Sequence, residues 1–418
     1  MPSPASSCES RPPHGALRWI RTGWSLIVAG FLLAFICAVA LSNEPRSTEK
    51  LFSDLHRTSM YIMLGGLICL AIGYRWLHHF RRHEYLVRKI QERSLDSAPP
   101  HPAAEQPPPA PPDATEIPQS ENESGISLTQ WTAVTADSHR LQGRTWEPED
   151  SSRGTVLIVH GLSDHISRYA DFAAFLCQRG YRVVGYDQRG HGRSSGIRGH
   201  APAFQRLLLD VLQIWNEHVQ VHTGPHFLYG HSLGGCEVLN LAMRPPQTAP
   251  AIDGLIASSP LLLPAHAISP WKERVGRIAN RVFPWLPFST DIDPSELTHD
   301  SRVIHQLRHD PYWHRRVTAR LGVEMLAAGE WALDHAEQLR VPTLMLHGDE
   351  DSLTSLDACR RFAQRNPRYC RLVEFPGMRH ELHHETDRDR VWKTIAEWLD
   401  ERAASAESAP SQSLEKMQ

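Results

Sequence analysis

The sequence predicts an α/β protein whose mostly parallel sheet is covered on both faces by helices. From residue 126 onward, short apolar runs alternate with segments of helical periodicity. The runs are continuously apolar, as expected for parallel strands that are buried on both faces. The composition of the 418 residues, 22% charged and 41% hydrophobic, excludes a disordered or fibrous chain. The formal net charge of −3 gives no electrostatic reason to bind nucleic acid.

The predicted strands and helices follow one another as crossover units. Strands are predicted at residues 155–159, 182–186, 227–229, 254–257, 341–346 and 371–375. Helices are predicted at residues 168–179, 202–222, 233–243, 355–366 and 388–402. Functional residues of such a sheet lie at the carboxyl ends of its strands, so candidate site residues are expected in the loops that follow them.

Two long apolar runs precede this domain. Residues 24–41 carry no charged side chain, and the run would span about 27 Å as a helix, close to the hydrocarbon thickness of a bilayer. Residues 60–77 are interrupted only by Arg75 near the end, where a long side chain can reach the interface. Residues 1–94 are therefore predicted to form a transmembrane hairpin rather than two buried core helices.

The charges around these runs predict the orientation of the hairpin. Residues 1–94 hold 12 Lys and Arg against 6 Asp and Glu, and most of the basic residues lie before the first run or after the second. The positive-inside rule then predicts an integral membrane protein whose C-terminal domain lies on the cytoplasmic face. A cleaved signal peptide ending near residues 38–40 is the alternative for the first span, and it would leave the second span in place.

The remaining segments outside the domain are predicted to be a linker and a tail. Nine prolines fall between residues 99 and 118, which predicts an extended spacer over residues 95–125. Residues 403–418 are polar and are predicted to be a disordered tail. The seven cysteines form no C-x-x-C pair, which favours buried thiols in a reducing compartment over a disulfide framework.

The strongest motif is the pentapeptide Gly-His-Ser-Leu-Gly at residues 230–234, which matches G-x-S-x-G. It follows a predicted strand and opens a predicted helix, as a nucleophile elbow requires. The flanking glycines suit a sharp turn on which side chains would clash. Ser232 is therefore the predicted nucleophile.

A serine nucleophile needs a base that takes its proton and an acid that orients the base. In this kind of sheet, these groups follow later strands in the order acid, then base. Asp351 follows the strand at 341–346 and His380 follows the strand at 371–375, so they are the predicted acid and base. Asp349 is the alternative acid. The backbone amides of Leu162 and Leu233 are predicted to form the oxyanion hole.

These motifs together resemble a known family. The residues that carry the resemblance are His160-Gly161, His165 with Arg168-Tyr169, residues 187–194 and residues 230–235. They resemble the monoacylglycerol lipase and lysophospholipase family of α/β-hydrolases, the serine aminopeptidase-like group, over residues 126–402. The resemblance implies an eight-stranded sheet with a helical cap after the sixth strand, here residues 264–335. It also implies structural roles for six polar residues, Asp187, Arg189, His191, His165, Arg168 and Tyr169.

Within the predicted cap, one helix carries an apolar stripe formed by Trp271, Val275, Ile278 and Val282. The stripe predicts either a lid that lines an acyl-chain pocket or a helix packed on the body of the domain. Residues 283–288 form a hydrophobic loop that could contact lipid.

A competing motif overlaps the predicted base. His380, Glu381 and His384 match H-E-x-x-H, in which two histidines one helical turn apart hold zinc and the glutamate activates water. Glu397 or Glu401 would be the third ligand. The motif follows a strand and a Pro-Gly turn, where a loop rather than a helix is expected, so the zinc hydrolase remains the remote alternative.

The sequence therefore predicts a membrane-anchored serine hydrolase that needs no metal or organic cofactor. Its predicted substrate is a lipid-like carboxylic ester of the monoacylglycerol or lysophospholipid type, inferred from the predicted location and the family resemblance. The same triad would also suit a thioesterase, an amidase or peptidase, or an acyltransferase. A fold that binds ligand without catalysis is the third class, and the complete triad argues against it.

Overall fold

The computed structural model describes residues 126–244 and 251–408. The predicted hairpin and linker, and residues 409–418 of the predicted tail, lie outside these ranges. Across the two described ranges, no helix combines the length and the apolar character needed to cross a bilayer.

Ten strands form the sheets of the described chain. They are β1 (Ser127–Val134), β2 (Arg140–Glu147), β3 (Gly154–Val159), β4 (Tyr181–Tyr186), β5 (His226–His231), β6 (Gly254–Ser258), β7 (Pro287–Ser289), β8 (Arg316–Thr318), β9 (Thr343–Gly348) and β10 (Cys370–Phe375). Eight of them form one sheet in the order β1-β2-β4-β3-β5-β6-β9-β10. The pairs β1–β2 and β2–β4 are antiparallel and all other pairs of this sheet are parallel.

The described part of the chain contains nine α-helices. They are α1 (Ala170–Gln178), α2 (Phe204–His218), α3 (Leu233–Ala242), α4 (Pro270–Val282), α5 (Pro294–Leu297), α6 (Ser301–His309), α7 (Ala319–Asp334), α8 (Leu356–Arg365) and α9 (Arg388–Ser408). Short 3-10 turns occupy Ile166–Tyr169, Ala336–Gln338 and Leu382–His384. The predicted crossover helices are found within a few residues of their expected ends.

The parallel strands are buried on both faces, as their apolar runs predict. Alternate residues of β3 belong to two separate hydrophobic clusters. Leu157 packs with α2 and α3 on one face, whereas Ile158 packs with α1 and α9 on the other. This two-sided covering confirms the predicted α/β class, a mostly parallel sheet with helices on both faces, and it leaves the carboxyl ends of the strands as the edge that can carry a site.

Strands β1 and β2 are not among the strands that the sequence predicts. Most side chains of β1 are exposed, so it has neither a continuous apolar run nor a clean alternation. An edge strand that packs few side chains gives little hydrophobic signal.

The predicted tail begins too early. Helix α9 continues to Ser408, so the prediction of disorder is wrong for residues 403–408. Ala403 is only 2% exposed and packs in the cluster beside α9, and the run after it is rich in alanine, the strongest helix former. Burial of Ala403 and the high helix propensity of alanine explain why the helix does not end at residue 402.

The predicted cap, residues 264–335, lies in the chain between β6 and β9. It comprises α4, α5, α6 and α7, together with the two-stranded antiparallel sheet β7–β8.

All four cysteines of the described chain, Cys177, Cys236, Cys359 and Cys370, are free and buried.

Candidate active site

Ser232 occupies a strained turn between β5 and α3. Its φ is +54°, in the left-handed region that side chains other than glycine rarely adopt. The glycines around it are required by close backbone approach. A Cβ on Gly230 would lie 2.4 Å from the carbonyl oxygen of Gly234, and one on Gly234 would lie 2.2 Å from that of Val159. The turn therefore presents the serine side chain at the edge of the sheet, as the pentapeptide predicts.

His380 and Asp351 meet in the loops that follow β10 and β9. The Nδ1 atom of His380 lies 2.7 Å from Oδ2 of Asp351. The side chain of Asp351 is fully buried, and its carboxylate accepts further hydrogen bonds from the hydroxyl of Thr354 at 2.7 Å and from the amides of Leu353 and Thr354 at 2.8 and 3.0 Å. The carboxylate is thus fixed by four donors, one of which is the imidazole.

Asp349, the alternative acid, is placed differently. It is exposed, and its Oδ1 accepts a hydrogen bond of 2.7 Å from the amide of Gly377 in the turn after β10. Asp349 therefore stabilises this turn, while Asp351 is the carboxylate in contact with His380.

The pKa values of this pair are shifted apart. Burial alone would raise the pKa of Asp351, but the charge and hydrogen bond of His380 hold it well below its usual range. Burial lowers the pKa of His380, and the nearby carboxylates, Asp351 foremost, reverse this and leave it raised. Asp351 is thus an anion that stabilises the protonated imidazole, which is the electrostatic requirement for a general base.

The loop after β3 packs directly against the serine. A Cβ on Gly161 would lie 3.2 Å from Cβ of Ser232, so Leu162, the next residue, lies beside the nucleophile. Leu233 is the first residue of α3, and both leucines line the same cavity as Ser232 and His380. The two backbone amides predicted for the oxyanion hole therefore belong to segments that flank the serine.

Gln188 connects this loop to β4. Its backbone amide donates to Nε2 of His160 at 2.9 Å, and its side-chain amide donates to the carbonyl oxygen of His160 at 2.6 Å. Asp187, the preceding residue, accepts from the amides of Ile166 and Arg193 at 2.8 and 2.7 Å. These buried bonds fix the loop from behind.

Arg189 and His191 also lie behind the loop. Arg189 forms a buried two-pronged ion pair with Asp210 at 2.6 and 2.7 Å and reaches Asp137 at 2.9 Å. His191 is fully buried beside His160, and burial lowers its pKa well below the usual value. The contacts of these side chains are structural, as the family resemblance implies.

A second network of ion pairs and hydrogen bonds lies behind His380, and the sequence does not predict which residues pair in it. Arg168 pairs with both oxygens of Glu381, at 2.8 and 2.5 Å, and with Asp164 at 2.7 Å. The hydroxyl of Tyr169 donates to the other oxygen of Asp164 at 3.0 Å. Since Glu381 directly follows His380, this network fixes the backbone of the base.

Hydrogen bonds join the loop after β3 to the cap. Nε2 of His165 lies 2.7 Å from Oδ2 of Asp310, which follows α6, and the amide of His314 donates to the carbonyl oxygen of Ser163 at 3.3 Å. Because Asp310 lies 145 residues from His165, no local sequence pattern could have identified it.

The H-E-x-x-H reading is not supported by the geometry. Residues 382–384 form a 3-10 turn. The side chains of Glu381 and His384 contact each other and Arg168, whereas His380 faces Asp351. Glu381 is paired with Arg168, while Nε2 of His384 donates to the carbonyl oxygen of Arg168 at 2.9 Å. Within residues 126–244 and 251–408, no group of three or more His, Cys, Asp and Glu side chains is arranged to hold a metal ion. Glu397 and Glu401 lie on α9 and join no such group.

A cavity of about 1050 Å³ opens above Ser232 and His380. Its apolar wall is formed by both the sheet edge and the cap, and includes Leu162, Leu261, Leu263, Trp271, Val275 and Val323. Helix α4 buries only Ala279, and Trp271 remains 64% exposed. The predicted stripe therefore divides: Trp271 and Val275 line the cavity, whereas Ile278 is exposed to solvent rather than packed on the body.

A serine at a strained elbow, a buried Asp–His pair and a flanking amide loop define a serine hydrolase with the α/β-hydrolase fold. Residues 150–387, more than half of the chain, match the family described as "Serine aminopeptidase, S33". The chain belongs to this family and is an enzyme of the serine ester hydrolase class.

Individual relatives agree with this assignment. The chain is 27% identical over 263 residues to a monoacylglycerol lipase of Mycolicibacterium smegmatis, covering 62% of this chain and 92% of that protein. It is 34% identical over 284 residues to an uncharacterised abhydrolase domain-containing protein of Dictyostelium discoideum, covering 67% of this chain but only 30% of that longer protein. The crystal structure of Paleococcus ferrophilus monoacylglycerol lipase superposes with a TM-score of 0.58 at 29% identity, covering 63% of this chain and 99% of that one.

Proposed function

We propose that the protein hydrolyses lipid-like carboxylic esters through a triad of Ser232, His380 and Asp351. The observation that carries the proposal is the contact of 2.7 Å between His380 and the buried Asp351, on the wall of the cavity that Ser232 also lines. This arrangement provides a nucleophile, a base and an orienting anion in one place.

The proposed reaction proceeds through an acyl-enzyme. Ser232 Oγ attacks the ester carbonyl carbon while His380 accepts the hydroxyl proton. The amides of Leu162 and Leu233 donate to the oxyanion of the tetrahedral intermediate. His380 then passes its proton to the leaving alcohol, and water, deprotonated by the same imidazole, releases the acid and restores Ser232.

The proposed substrate is an ester of one long acyl chain, such as a monoacylglycerol or a lysophospholipid. A cavity of about 1050 Å³ with a largely apolar wall is suited to a flexible hydrocarbon chain. Two of the relatives above are named monoacylglycerol lipases, which supports the same substrate class.

We also propose that this domain is anchored to the cytoplasmic face of a membrane by residues 1–94. The support is in the sequence: two apolar runs, at residues 24–41 and 60–77, flanked by basic residues. The test is extraction of the full chain from cell membranes at alkaline pH, followed by protease digestion of sealed vesicles. Release of the chain without detergent would refute the anchor, and protection of the domain in right-side-out vesicles is the expected result.

The triad is tested by labelling the full chain, in detergent, with a fluorophosphonate. We expect labelling of the wild type and of Ser258→Ala, a control at a buried serine on the neighbouring strand, and none of Ser232→Ala. Hydrolysis is then measured on monoacylglycerols, lysophospholipids, thioesters and amides, each with and without EDTA. Labelling that survives in Ser232→Ala, or ester hydrolysis that EDTA abolishes, would overturn the proposal.

A further inference from the structure

A buried acid on the nucleophile helix has no role in the mechanism above. Glu237 lies on α3, five residues after Ser232, and its exposed fraction is 0%. Neither of its carboxyl oxygens has a hydrogen-bond partner among the residues that the structure describes. A buried and unpaired carboxylate would strongly destabilise the fold, so the neutral, protonated carboxyl group is favoured at this position.

The polar atoms around Glu237 share this lack of partners. Oε1 of Gln188 and the hydroxyl of Tyr186 are buried and also without a partner in the described chain. Gln188 is the residue whose side-chain amide donates to the carbonyl oxygen of His160 at 2.6 Å. Its nitrogen is therefore fixed toward the loop after β3, and its oxygen must find a donor on the other side.

Simple hydrogen-bond chemistry identifies that donor. A carboxylate only accepts hydrogen bonds, so it cannot bond to an amide oxygen, whereas a carboxylic acid carries an O–H that can. Burial raises the pKa of Glu237 well above its usual value, and the nearby carboxyl of Asp210 raises it further, whereas the interaction with the side chain of Gln188 acts in the opposite direction and is outweighed. The neutral acid can donate to Gln188 while its carbonyl oxygen accepts from Tyr186, which gives each of these buried groups a partner.

We propose that Glu237 is a neutral carboxylic acid whose O–H donates a hydrogen bond to Oε1 of Gln188 and thereby positions the oxyanion loop. Glu237 is a positioning residue: it acts through Gln188 on the carbonyl of His160, two residues before Leu162. The inference rests on the proposed function, because the loop that it positions is the proposed oxyanion loop.

The groups that face Glu237 come from three neighbouring elements. Asp210 on α2 is paired with Arg189, Tyr186 ends β4, and Cys236 is adjacent on α3. Burial raises the pKa of both Tyr186 and Cys236, so these two groups stay neutral over the range in which Glu237 is tested.

The first test measures the proton on Glu237 without reference to activity. Urea unfolding of the full chain in detergent is compared between the wild type and Glu237→Gln from pH 5 to 8. The unfolded wild type loses the proton near the ordinary pKa of glutamate, while the folded state retains it, so folding becomes less favourable as pH rises. The unfolding constant of the wild type is expected to grow about tenfold per pH unit relative to that of Glu237→Gln. A ratio that does not change with pH would overturn the proposal.

The second test measures the positioning role. Glu237→Leu removes the donor and is expected to lower kcat by about 10 to 100-fold with KM within about twofold, because the loop shifts while the acyl cavity is untouched. Glu237→Gln keeps a neutral donor and is expected to restore kcat. Asn240→Leu is the matched control: Asn240 is buried on the same helix but bonds to Cys236 and Ala328, so kcat should be retained.

The outcomes separate the two hypotheses. If Glu237→Leu and Asn240→Leu lower kcat equally, the residue has only a structural role and the positioning proposal fails. If the wild type hydrolyses no ester, the proposed function fails, while the unfolding comparison still decides the protonation state. If Glu237→Leu does not fold, Glu237→Asp shortens the donor by one methylene, and unchanged kcat in that variant would overturn the positioning role.

Discussion

The substitution Asp351→Asn tests the electrostatic design of the site most directly. All four partners of the carboxylate are donors: two reach Oδ2, from His380 and Thr354, and two backbone amides reach Oδ1. An amide has one acceptor oxygen and one donor NH2, so either orientation sets its NH2 against donors.

The structure decides which orientation the asparagine adopts. The backbone amides of Leu353 and Thr354 cannot turn away, and leaving them both unpaired costs about 1–3 kcal/mol each. The hydroxyl of Thr354 can rotate and His380 can change its tautomer, so the NH2 group is expected to face His380. The imidazole then carries its proton on Nε2, the atom that must accept a proton from Ser232.

We therefore expect Asp351→Asn to fold normally and to lower kcat by about 10⁴-fold, the size of loss caused by the wrong tautomer in a serine triad. This corresponds to about 5.4 kcal/mol of transition-state stabilisation, at 1.36 kcal/mol per tenfold. The assay is steady-state hydrolysis of a chromogenic acyl ester, with urea unfolding as the check on folding. Asp349→Asn is the matched control and should stay within about twofold. A loss below tenfold for Asp351→Asn, or equal losses for both variants, would refute the reasoning.

Three further predictions follow from the site. Because the pKa of His380 is raised and the neutral imidazole is the active form, the acid limb of the kcat/KM profile should lie above pH 6.5, the ordinary histidine value. In Asp351→Asn this limb should shift to lower pH, because the carboxylate that raises the pKa is gone. Arg168→Met removes the guanidinium that pairs with the buried carboxylates of Asp164 and Glu381 and should destabilise folding by about 3–5 kcal/mol in urea. Gly234→Ala should cost about 1–3 kcal/mol and abolish turnover, because its Cβ would lie 2.2 Å from a backbone oxygen.

Each of these predictions has its own control. An acid limb that ignores Asp351→Asn would contradict the coupling of the imidazole to that carboxylate. Arg361→Met removes an exposed ion pair with Asp357 and should change stability by less than about 1 kcal/mol, so equal effects at Arg361 and Arg168 would contradict the burial argument. Gly276→Ala, in the interior of α4, meets only an ordinary contact at 3.8 Å and should stabilise folding by about 0.5–1 kcal/mol, because alanine is the better helix former.

The placement of Ser232, Asp351 and His380 at one edge of the sheet could be predicted because parallel topology dictates it. Each residue follows a strand, and the carboxyl ends of parallel strands meet at one edge of the sheet. The role of the elbow glycines could be predicted as well, because the G-x-S-x-G pattern itself indicates a turn with no room for side chains beside the serine.

The contacts between distant segments could not be predicted in this way. Arg168 and Glu381 are 213 residues apart, and the pairing of two charged residues over such a distance leaves no local pattern. The apolar stripe of α4 shows a related limit. Periodicity identified the face of the helix, but nothing in the sequence indicates what covers a face, and most of this one is exposed.

The weak burial of α4 also bears on how such an enzyme can change its substrate preference. Of the 13 residues of this helix, only Ala279 is buried, yet Trp271 and Val275 border the cavity. Substitutions there alter the shape of the acyl site with little loss of folding free energy, whereas the elbow glycines tolerate no added atom. Deep mutational scanning should show this contrast, and equal intolerance along both segments would contradict it. Selectivity for the acyl chain can therefore change by substitutions in α4 while the catalytic residues stay the same.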